Sequence, residues 1–349
     1  MIYTSMQEEL CSHRLLIFIN NEVYYRCHEG TFYERNFGIA DHSDFLGYSL
    51  MPAIYQGSDY FASFTDLMMY YTRRDLTYPS DILRASLGML RKLSNRAKIE
   101  FIEGLPAPLD RSLLFIRRTP LHKLRARREG FPSYSWTGWT YIPVWKEDMS
   151  LREARIFGNG LTRRDVARET WIAWYCISPH GNLYAIGSHG IQKPSTCREY
   201  EASREISGNE LQMLPLSPEH IQMNDHNPPT ATFTLLRFWT ISVFLTISLV
   251  QSSDNSEGLH HYATFGIDEF PCGALEVDFD DLRKDTAQEF ALICEYEDVW
   301  KSGVEVGYWA MLLKRIGPLV ERRGILKLPK EALDKTLPPG PSWTSYILG

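Results

Sequence analysis

Residues 231–250, ATFTLLRFWTISVFLTISLV, are the stretch of sequence on which the fold class depends. Their length is close to that of a membrane-spanning helix. However, Arg237 lies inside the stretch, and a charge near the centre of a bilayer is costly. Val, Ile, Thr, Phe and Trp dominate the remainder, and these residues favour strands over helices. We therefore predict one or two buried β-strands here and no membrane span.

The sequence around this stretch, from residue 131 to residue 349, has the same texture. Short runs rich in Trp, Tyr, Ile and Val alternate with turn signals, such as SPHGN at residues 178–182. Many short strands separated by turns are typical of an antiparallel sandwich or barrel-like domain. A short helix is expected near the end, in LPKEALDKTL at residues 328–337.

The N-terminal part of the chain mixes helix and strand. Residues 1–27 predict a short helix, a strand, an Asn-Asn turn and a second strand, and such a hairpin is marginal without a further layer. Two helices are expected at residues 63–74, with Ser63 as the N-cap, and at residues 77–94, with a stripe of Leu83, Leu87 and Leu90.

The fold class that follows is α+β. An N-terminal helix and hairpin occupy residues 1–35, a mainly helical segment occupies residues 36–130, and a mostly antiparallel β-rich domain, sandwich- or barrel-like, occupies residues 131–349.

Composition limits the function classes. The net charge of −6 over 349 residues argues against a dedicated nucleic-acid binder. Six cysteines are scattered without a C-x-x-C pair, and the first residues carry no secretory signal. We therefore expect a reduced, cytoplasmic protein.

Three polar groups could in principle hold a ligand. Cys176, His180, His189 and Cys197 are zinc-type ligands, but their spacing lacks a knuckle, so we expect a buried thiol and surface histidines. Asp278, Asp280 and Asp281 lack the glycine and the distal glutamate of a calcium loop. The arginines and lysine of residues 117–128 favour a solvated basic loop over a phosphate site. We predict no metal and no cofactor.

The densest aromatic signal is REGFPSYSWTGW at residues 128–139. Its alternation of small and large side chains predicts a strand with Tyr134 and Trp136 on one face. Together with Trp139, these rings would serve either as a ligand platform or as an interface hot spot. We favour a third interpretation, in which the rings fill a core.

Several segments, taken in order, resemble fungal heterokaryon-incompatibility (HET-domain) proteins. TSMQEELCSHRLLIF at residues 4–18 resembles the family's W-T-x-Q-E-x-x-L-S-x-R-x-L-x-F pattern, with Thr4-Ser5 in place of Trp-Thr. Residues 71–93 resemble its segment around P-S-D, and residues 130–139 its P-S-W-S-W-A stretch. The matched motif positions include Gln7, Glu8, Ser12, Arg14, Pro79, Ser80, Asp81, Pro132, Ser133, Ser135 and Trp136.

The resemblance continues to the end of the sequence. LLRFWTISV, GALEVDFDD, EFALIC, GYWAMLL, VERRGI and the closing PSWTSYILG are similar to later pieces of the same proteins. The family's upstream strand and its I-D-x-x-C-I segment have no counterpart here. The resemblance therefore implies a chain that begins inside a HET domain, with most of that domain missing.

The resemblance implies a role in non-self recognition at cell fusion and in programmed cell death. The chain is expected to be a non-enzymatic, truncated or inactive member whose β-rich region binds or regulates a protein partner. Two alternatives stay open: a TIR-like NAD⁺ hydrolase whose catalytic half is absent, and a β-sandwich protein that binds a ligand through Trp136 and Trp139. Glu8 matches the motif glutamate. Glu8 and Glu9 cannot face the same way on a helix, and Arg14 is a candidate ion-pair partner for whichever of the two points inward.

Overall fold

The computed structural model describes 17 stretches and single residues of the chain: 12, 14–19, 22–27, 30–34, 60–74, 76–107, 109–118, 127–140, 142–145, 166–167, 172, 174–186, 231–249, 261–267, 271–277, 286–300 and 303–349. The chain divides into two compact units, Met1–Pro106 and Ala107–Gly349. The predicted boundaries at residues 35 and 130 stay predictions.

The N-terminal unit contains a three-stranded antiparallel sheet. β1 (Arg14–Ile19) pairs with β2 (Glu22–Cys27), and β2 pairs with β3 (Gly30–Tyr33). The hairpin that the Asn-Asn turn predicts is therefore present, with Ile19 opposite Glu22. The predicted helix before it lies outside the described residues.

Two helices follow in this unit. α1 (Tyr60–Tyr71) begins three residues before Ser63, which is buried inside the helix, so the predicted N-cap is wrong. Phe61 and Phe64 extend the apolar surface of its first turn, with ring centroids 6.0 Å apart. The helix is fixed to the next segment by the Tyr71 hydroxyl, which donates to the carbonyl of Ile82 at 2.7 Å.

The second predicted helix is divided. Two 3₁₀ turns, Pro79–Asp81 and Arg84–Ser86, precede α2 (Leu87–Ala97). The Ser86 hydroxyl donates to the carbonyl of Leu83 at 2.8 Å and keeps the chain in tight turns before α2 starts. This changes the helical phase, so Leu87 is 38% exposed and the predicted stripe is wrong at that position. Buried Met89, Leu90 and Leu93 form the inner face instead. A small hairpin, β4 (Phe101–Ile102) with β5 (Leu105–Pro106), ends the unit.

The C-terminal unit is built mainly of strands. Before its large sheet lie α3 (Leu109–Ser112) and the hairpin of β6 (Phe115–Arg118) with β7 (Ile142–Trp145). The sheet strands are β8 (Val166–Ala167), β9 (Tyr175–Ile177), β10 (Leu183–Ala185), β11 (Leu235–Leu249), β12 (His261–Phe265), β13 (Pro271–Val277), β14 (Gln288–Trp300), β15 (Gly303–Ile316), β16 (Leu319–Pro329) and β17 (Ser342–Leu348). A 3₁₀ helix at Lys330–Lys335 confirms the short helix expected there.

Six of these strands close on themselves through antiparallel pairings. The ring runs β11, β12, β13, β16, β15 and β14, and β14 pairs again with β11. β17 pairs with the first half of β11 and, in parallel, with β16 at Val320 and Leu348. The sheet is thus mostly antiparallel and closed, which confirms the α+β class with a β-rich, barrel-like region.

The stretch at residues 231–250 is the strand that this closure depends on. β11 is one strand of 15 residues, and its partners are β9 and β14 on one edge and β17 and β12 on the other. Arg237 is tolerated because it is half-buried, with its guanidinium 4.9 Å from the centre of the Trp239 ring. No helix in the described part of the chain is long and apolar enough to span a membrane.

Gly307 is the position at which the closed sheet leaves no room for a side chain. A Cβ there would lie 2.4 Å from the carbonyl oxygen of Leu328 and 2.5 Å from the hydroxyl of Tyr296. We expect Gly307→Ala to destabilise the unit by about 1–3 kcal/mol or more, because backbone would have to move. Gly130→Ala is the comparison, since a Cβ meets nothing within 4 Å there and only the φ of +80° is unfavourable.

Chemical denaturation followed by far-UV circular dichroism measures both changes. Adding Tyr296→Phe to Gly307→Ala should recover little, because the contact with the Leu328 carbonyl remains. A Gly307→Ala protein as stable as the wild type would contradict the close approach of these strands.

Candidate functional site

The segment that contains Pro132 and Trp136 is a buried turn and not the predicted strand. A 3₁₀ turn spans Trp136–Gly138, and the Ser135 hydroxyl caps it by accepting from the N–H of Thr137 at 3.2 Å. The Ser135 hydroxyl bonds to the backbone two residues further on, which favours a turn over a ladder and explains the error. Tyr134 and Trp136 are 0% and 1% exposed, as expected for side chains that fill a core.

Ser133 joins this turn to two distant parts of the chain. Its N–H donates to the backbone oxygen of Gly349 at 2.9 Å, and its hydroxyl donates to the same oxygen. The hydroxyl also accepts from the N–H of Arg322 at 2.9 Å, while the Trp139 indole donates to the Ser133 carbonyl at 2.7 Å. We call Ser133, Trp139, Arg322 and Gly349 the Ser133 cluster.

Two arginines hold the outside of this turn. Arg127 donates to the carbonyl of Gly138 at 3.0 Å, and its guanidinium lies 5.5 Å from the centre of the Trp139 ring. Arg128 donates to the carbonyl of Thr137 at 2.9 Å. Both are half-buried, so the prediction of a solvated basic loop is wrong for these two positions. Their donors satisfy carbonyls that the tight turn leaves outside any ladder.

Arg322 is itself almost fully buried, at 2% exposure. Its guanidinium carbon lies 3.9 Å from the centre of the Phe115 ring, and Nη2 donates to the Phe115 carbonyl. Phe115 in turn packs against Trp145 at 5.7 Å between ring centroids. A delocalised guanidinium is suited to this position, because it stacks on the ring and donates at its edge.

A second polar group, the Glu289 cluster, lies on four strands of the closed sheet. It consists of Ser242 on β11, Glu289 on β14, Arg315 on β15 and Tyr346 on β17. Arg315 binds the Glu289 carboxylate with both Nε and Nη2, at 2.7 and 2.6 Å. The Tyr346 hydroxyl donates to Glu289 at 2.8 Å, and the Ser242 hydroxyl is 3.4 Å away.

The electrostatics of this cluster follow from its burial. Glu289 and Tyr346 are 9% and 1% exposed, whereas the Arg315 side chain is 56% exposed. Burial, together with the neighbouring Glu289 charge, raises the pKa of Tyr346. The hydrogen bond to Glu289 raises the pKa of Arg315. The cluster is thus a satisfied ion pair that ties four strands together.

The N-terminal sheet presents an exposed apolar surface. Leu16 and Phe18 on β1 are 63% and 58% exposed. Strand alternation and register put Val23 and Tyr25 of β2 and Phe32 of β3 on the same side, all half-buried. We call these five residues the open face.

The motif residues of the family resemblance are distributed over both units. Gln7 and Glu8 lie outside the described residues, as does any pairing of Glu8 with Arg14. In the N-terminal unit, Ser12 is half-buried, Arg14 is exposed on β1, and Pro79–Asp81 is an exposed to half-buried turn. In the C-terminal unit, Pro132, Ser133, Ser135 and Trp136 are buried together.

For the other candidate ligand sites, the structure describes only some of the residues. Cys176 is buried and His180 is exposed, as expected, whereas His189, Cys197 and Asp278, Asp280 and Asp281 lie outside the described residues. Among the described residues, no group of three or more His, Cys, Asp or Glu side chains is placed to hold a metal. Trp136 and Trp139, at 1% and 6% exposure, are buried and do not form an open ligand platform.

Comparison with known proteins adds no relative: no family model, no curated protein and no solved structure matches this chain. Sequence reasoning missed Arg322, Gly349 and the Glu289 cluster. The sequence did contain one indication of Glu289, because it is a charged residue within QEFALIC, a run that was otherwise expected to be a buried strand.

Proposed function

We propose that this chain acts in the cytoplasm as a heterokaryon-incompatibility-type protein, in fungal non-self recognition and programmed cell death. Its β-rich unit would be a non-catalytic body that supports partner recognition. One observation carries the proposal: three of the separate segments that resemble the family meet in the Ser133 cluster. The cluster draws Ser133 from the PSYSW segment, Arg322 from VERRGI and Gly349 from the closing PSWTSYILG.

This convergence supports the resemblance for a physical reason. The Ser133 hydroxyl reaches a partner 216 residues away in sequence, so the segments depend on one another for their hydrogen bonds. Short similarities that arise by chance have no reason to meet in one buried cluster. Segments that were inherited together as one folded unit are expected to meet in this way.

The test is expression in a filamentous fungus. We expect fusion cells between strains that differ only in the gene for this chain to take up a vital dye more often than fusion cells of matched strains. The same assay is run with the wild-type chain and with a Ser133→Ala variant that is present at equal abundance. This comparison distinguishes a loss of recognition from a loss of folded protein. Equal dye uptake in both pairings would refute the proposed function.

A biochemical measurement separates the proposal from the hydrolase alternative. The purified chain is expected to release no nicotinamide from NAD⁺, with Glu8→Gln as the paired variant. Nicotinamide release that Glu8→Gln abolishes would replace the proposal by an enzymatic function. Release that the variant leaves unchanged would indicate a contaminating activity.

A further inference from the structure

The open face is unusual because it is apolar although the other side of the same sheet is already buried. On the opposite side of the same three strands, Tyr24 and Arg26 are 1% and 3% exposed. An antiparallel sheet with one buried face normally presents polar side chains on the other. Here, Leu16, Phe18 and Tyr25 occupy that side, and a contiguous apolar surface of this kind marks an interaction site.

The dimensions of the open face select a kind of partner. Three strands spaced about 4.8 Å apart, two of them six residues long and the third four, make a surface about 10 Å wide and, along the two longer strands, about 20 Å long. That is the width of one α-helix and the length of about 13 helical residues. A helix is also the layer that commonly covers a sheet in α+β folds.

The exposed area argues against a second copy of the chain. Five apolar side chains, of which the aromatic ones bury about 150–250 Å² each when fully covered, offer on the order of 400 Å² at partial exposure. A stable interface between two folded proteins needs about 800 Å² from each. One amphipathic helix lying along the strands requires less and fits the shape.

The positive charge of Arg14 at one end of the open face indicates which charge a docked helix would carry there. Arg14 is exposed at the start of β1 and alternates onto the same side as Leu16 and Phe18. The strand carries no other charge before Glu22 on β2. A helix that docks here would place an Asp or Glu near Arg14 and its apolar stripe over the remainder.

We propose that the open face binds one amphipathic α-helix of a partner protein, with apolar residues at i, i+3, i+4 and i+7 and a carboxylate at the Arg14 end. This adds a surface on the N-terminal unit to the partner recognition of the proposed function, and it rests on that function for biological meaning. The binding itself is tested on purified protein, so it can fail or succeed independently of the fungal assay.

The probe is a fluorescein-labelled, 18-residue helical peptide with leucines at i, i+3, i+4 and i+7, lysines on the other face and glutamate at one end of the stripe. Fluorescence anisotropy with the full chain is expected to give a micromolar dissociation constant. A scrambled peptide of the same composition should bind at least 10-fold more weakly.

Three variants locate the binding. Leu16→Asp and Phe18→Asp should each weaken binding at least 10-fold, whereas Tyr184→Asp, at a 50% exposed position of the other unit, should leave it unchanged. Arg14→Glu should weaken binding of the glutamate peptide several-fold and strengthen binding of a peptide with lysine at that end. Near-UV circular dichroism checks that each variant is folded.

Several outcomes would overturn the proposal. No binding, or binding that Leu16→Asp does not change, refutes a helix on this face. A dimer by light scattering that Leu16→Asp dissociates would assign the face to a second copy. In a Leu16→Cys variant of the monomer, a thiol that does not react with a small maleimide would show that the chain covers the face itself.

Discussion

Replacement of Trp136 by alanine is expected to lower the free energy of unfolding of the C-terminal unit by about 3–5 kcal/mol. Trp136 is 1% exposed and is among the largest fully buried side chains of the described chain. It also begins the 3₁₀ turn in which its carbonyl accepts from the N–H of Trp139 at 3.2 Å. The alanine variant therefore leaves a cavity at the point where the Ser133 cluster is held in position.

Thermal and urea unfolding followed by tryptophan fluorescence measure this loss. For a unit of this size, a change of that magnitude shifts the melting temperature on the order of 10 °C. Trp136→Phe should lose less, because most of the volume stays filled. Tyr184→Ala, at a side chain that is 50% exposed, should change stability by less than about 0.5 kcal/mol. A Trp136→Ala protein that unfolds like Tyr184→Ala would refute the buried position.

Replacement of Glu289 by alanine should have the next largest effect, a loss of about 2–4 kcal/mol. The variant removes the acceptor of the buried Tyr346 hydroxyl and of Ser242, and both donors then lie away from water. Arg315 contributes less to the loss, because its side chain is 56% exposed and can turn to solvent. Glu289→Gln keeps one acceptor oxygen and should lose less than half as much.

Urea unfolding at neutral pH compares these variants with Glu331→Ala, a change at an exposed glutamate of the same unit. Glu331→Ala should stay within about 0.5 kcal/mol of the wild type. If Glu289→Ala were no more harmful than Glu331→Ala, the ion pair would have no structural role.

The same cluster predicts how stability depends on alkaline pH. The pKa of Tyr346 is higher in the folded protein than its ordinary value near 10, so the folded state keeps the proton longer than the unfolded state. Its contribution to stability is therefore complete below about pH 10 and is lost as the pH rises above that value. Tyr346→Phe should remove this part of the decline. An identical slope above pH 10 in wild type and Tyr346→Phe would contradict the shift.

The sequence was sufficient for the class of fold and for individual strands. Periodicity and composition identified the hairpin at the N-terminus, the buried strand at residues 231–250 and the turn at residues 178–182. These predictions succeed because strand propensity, turn residues and burial all act within a few positions along the chain.

Other features were beyond local reasoning. The Ser133 cluster depends on partners 189 and 216 residues away, and no local pattern reports such a pairing. Arg127 and Arg128 looked solvated because their acceptors are carbonyls of a turn that was predicted to be a strand. The closure of β14 onto β11 likewise depends on tertiary pairing, whereas each strand alone shows only its own apolar run.

The hydrogen bond between Ser133 and Gly349 also sets a limit on when this unit can finish folding during synthesis. A ribosome that adds about 5–20 residues per second needs roughly 10–40 s to make the intervening 216 residues. In the later part of that interval, after residue 249 has been added, β11 is present without β17, and its apolar residues lack their final neighbours. The nascent unit must therefore be protected from aggregation, and its yield should depend on chaperones that bind unpaired strands.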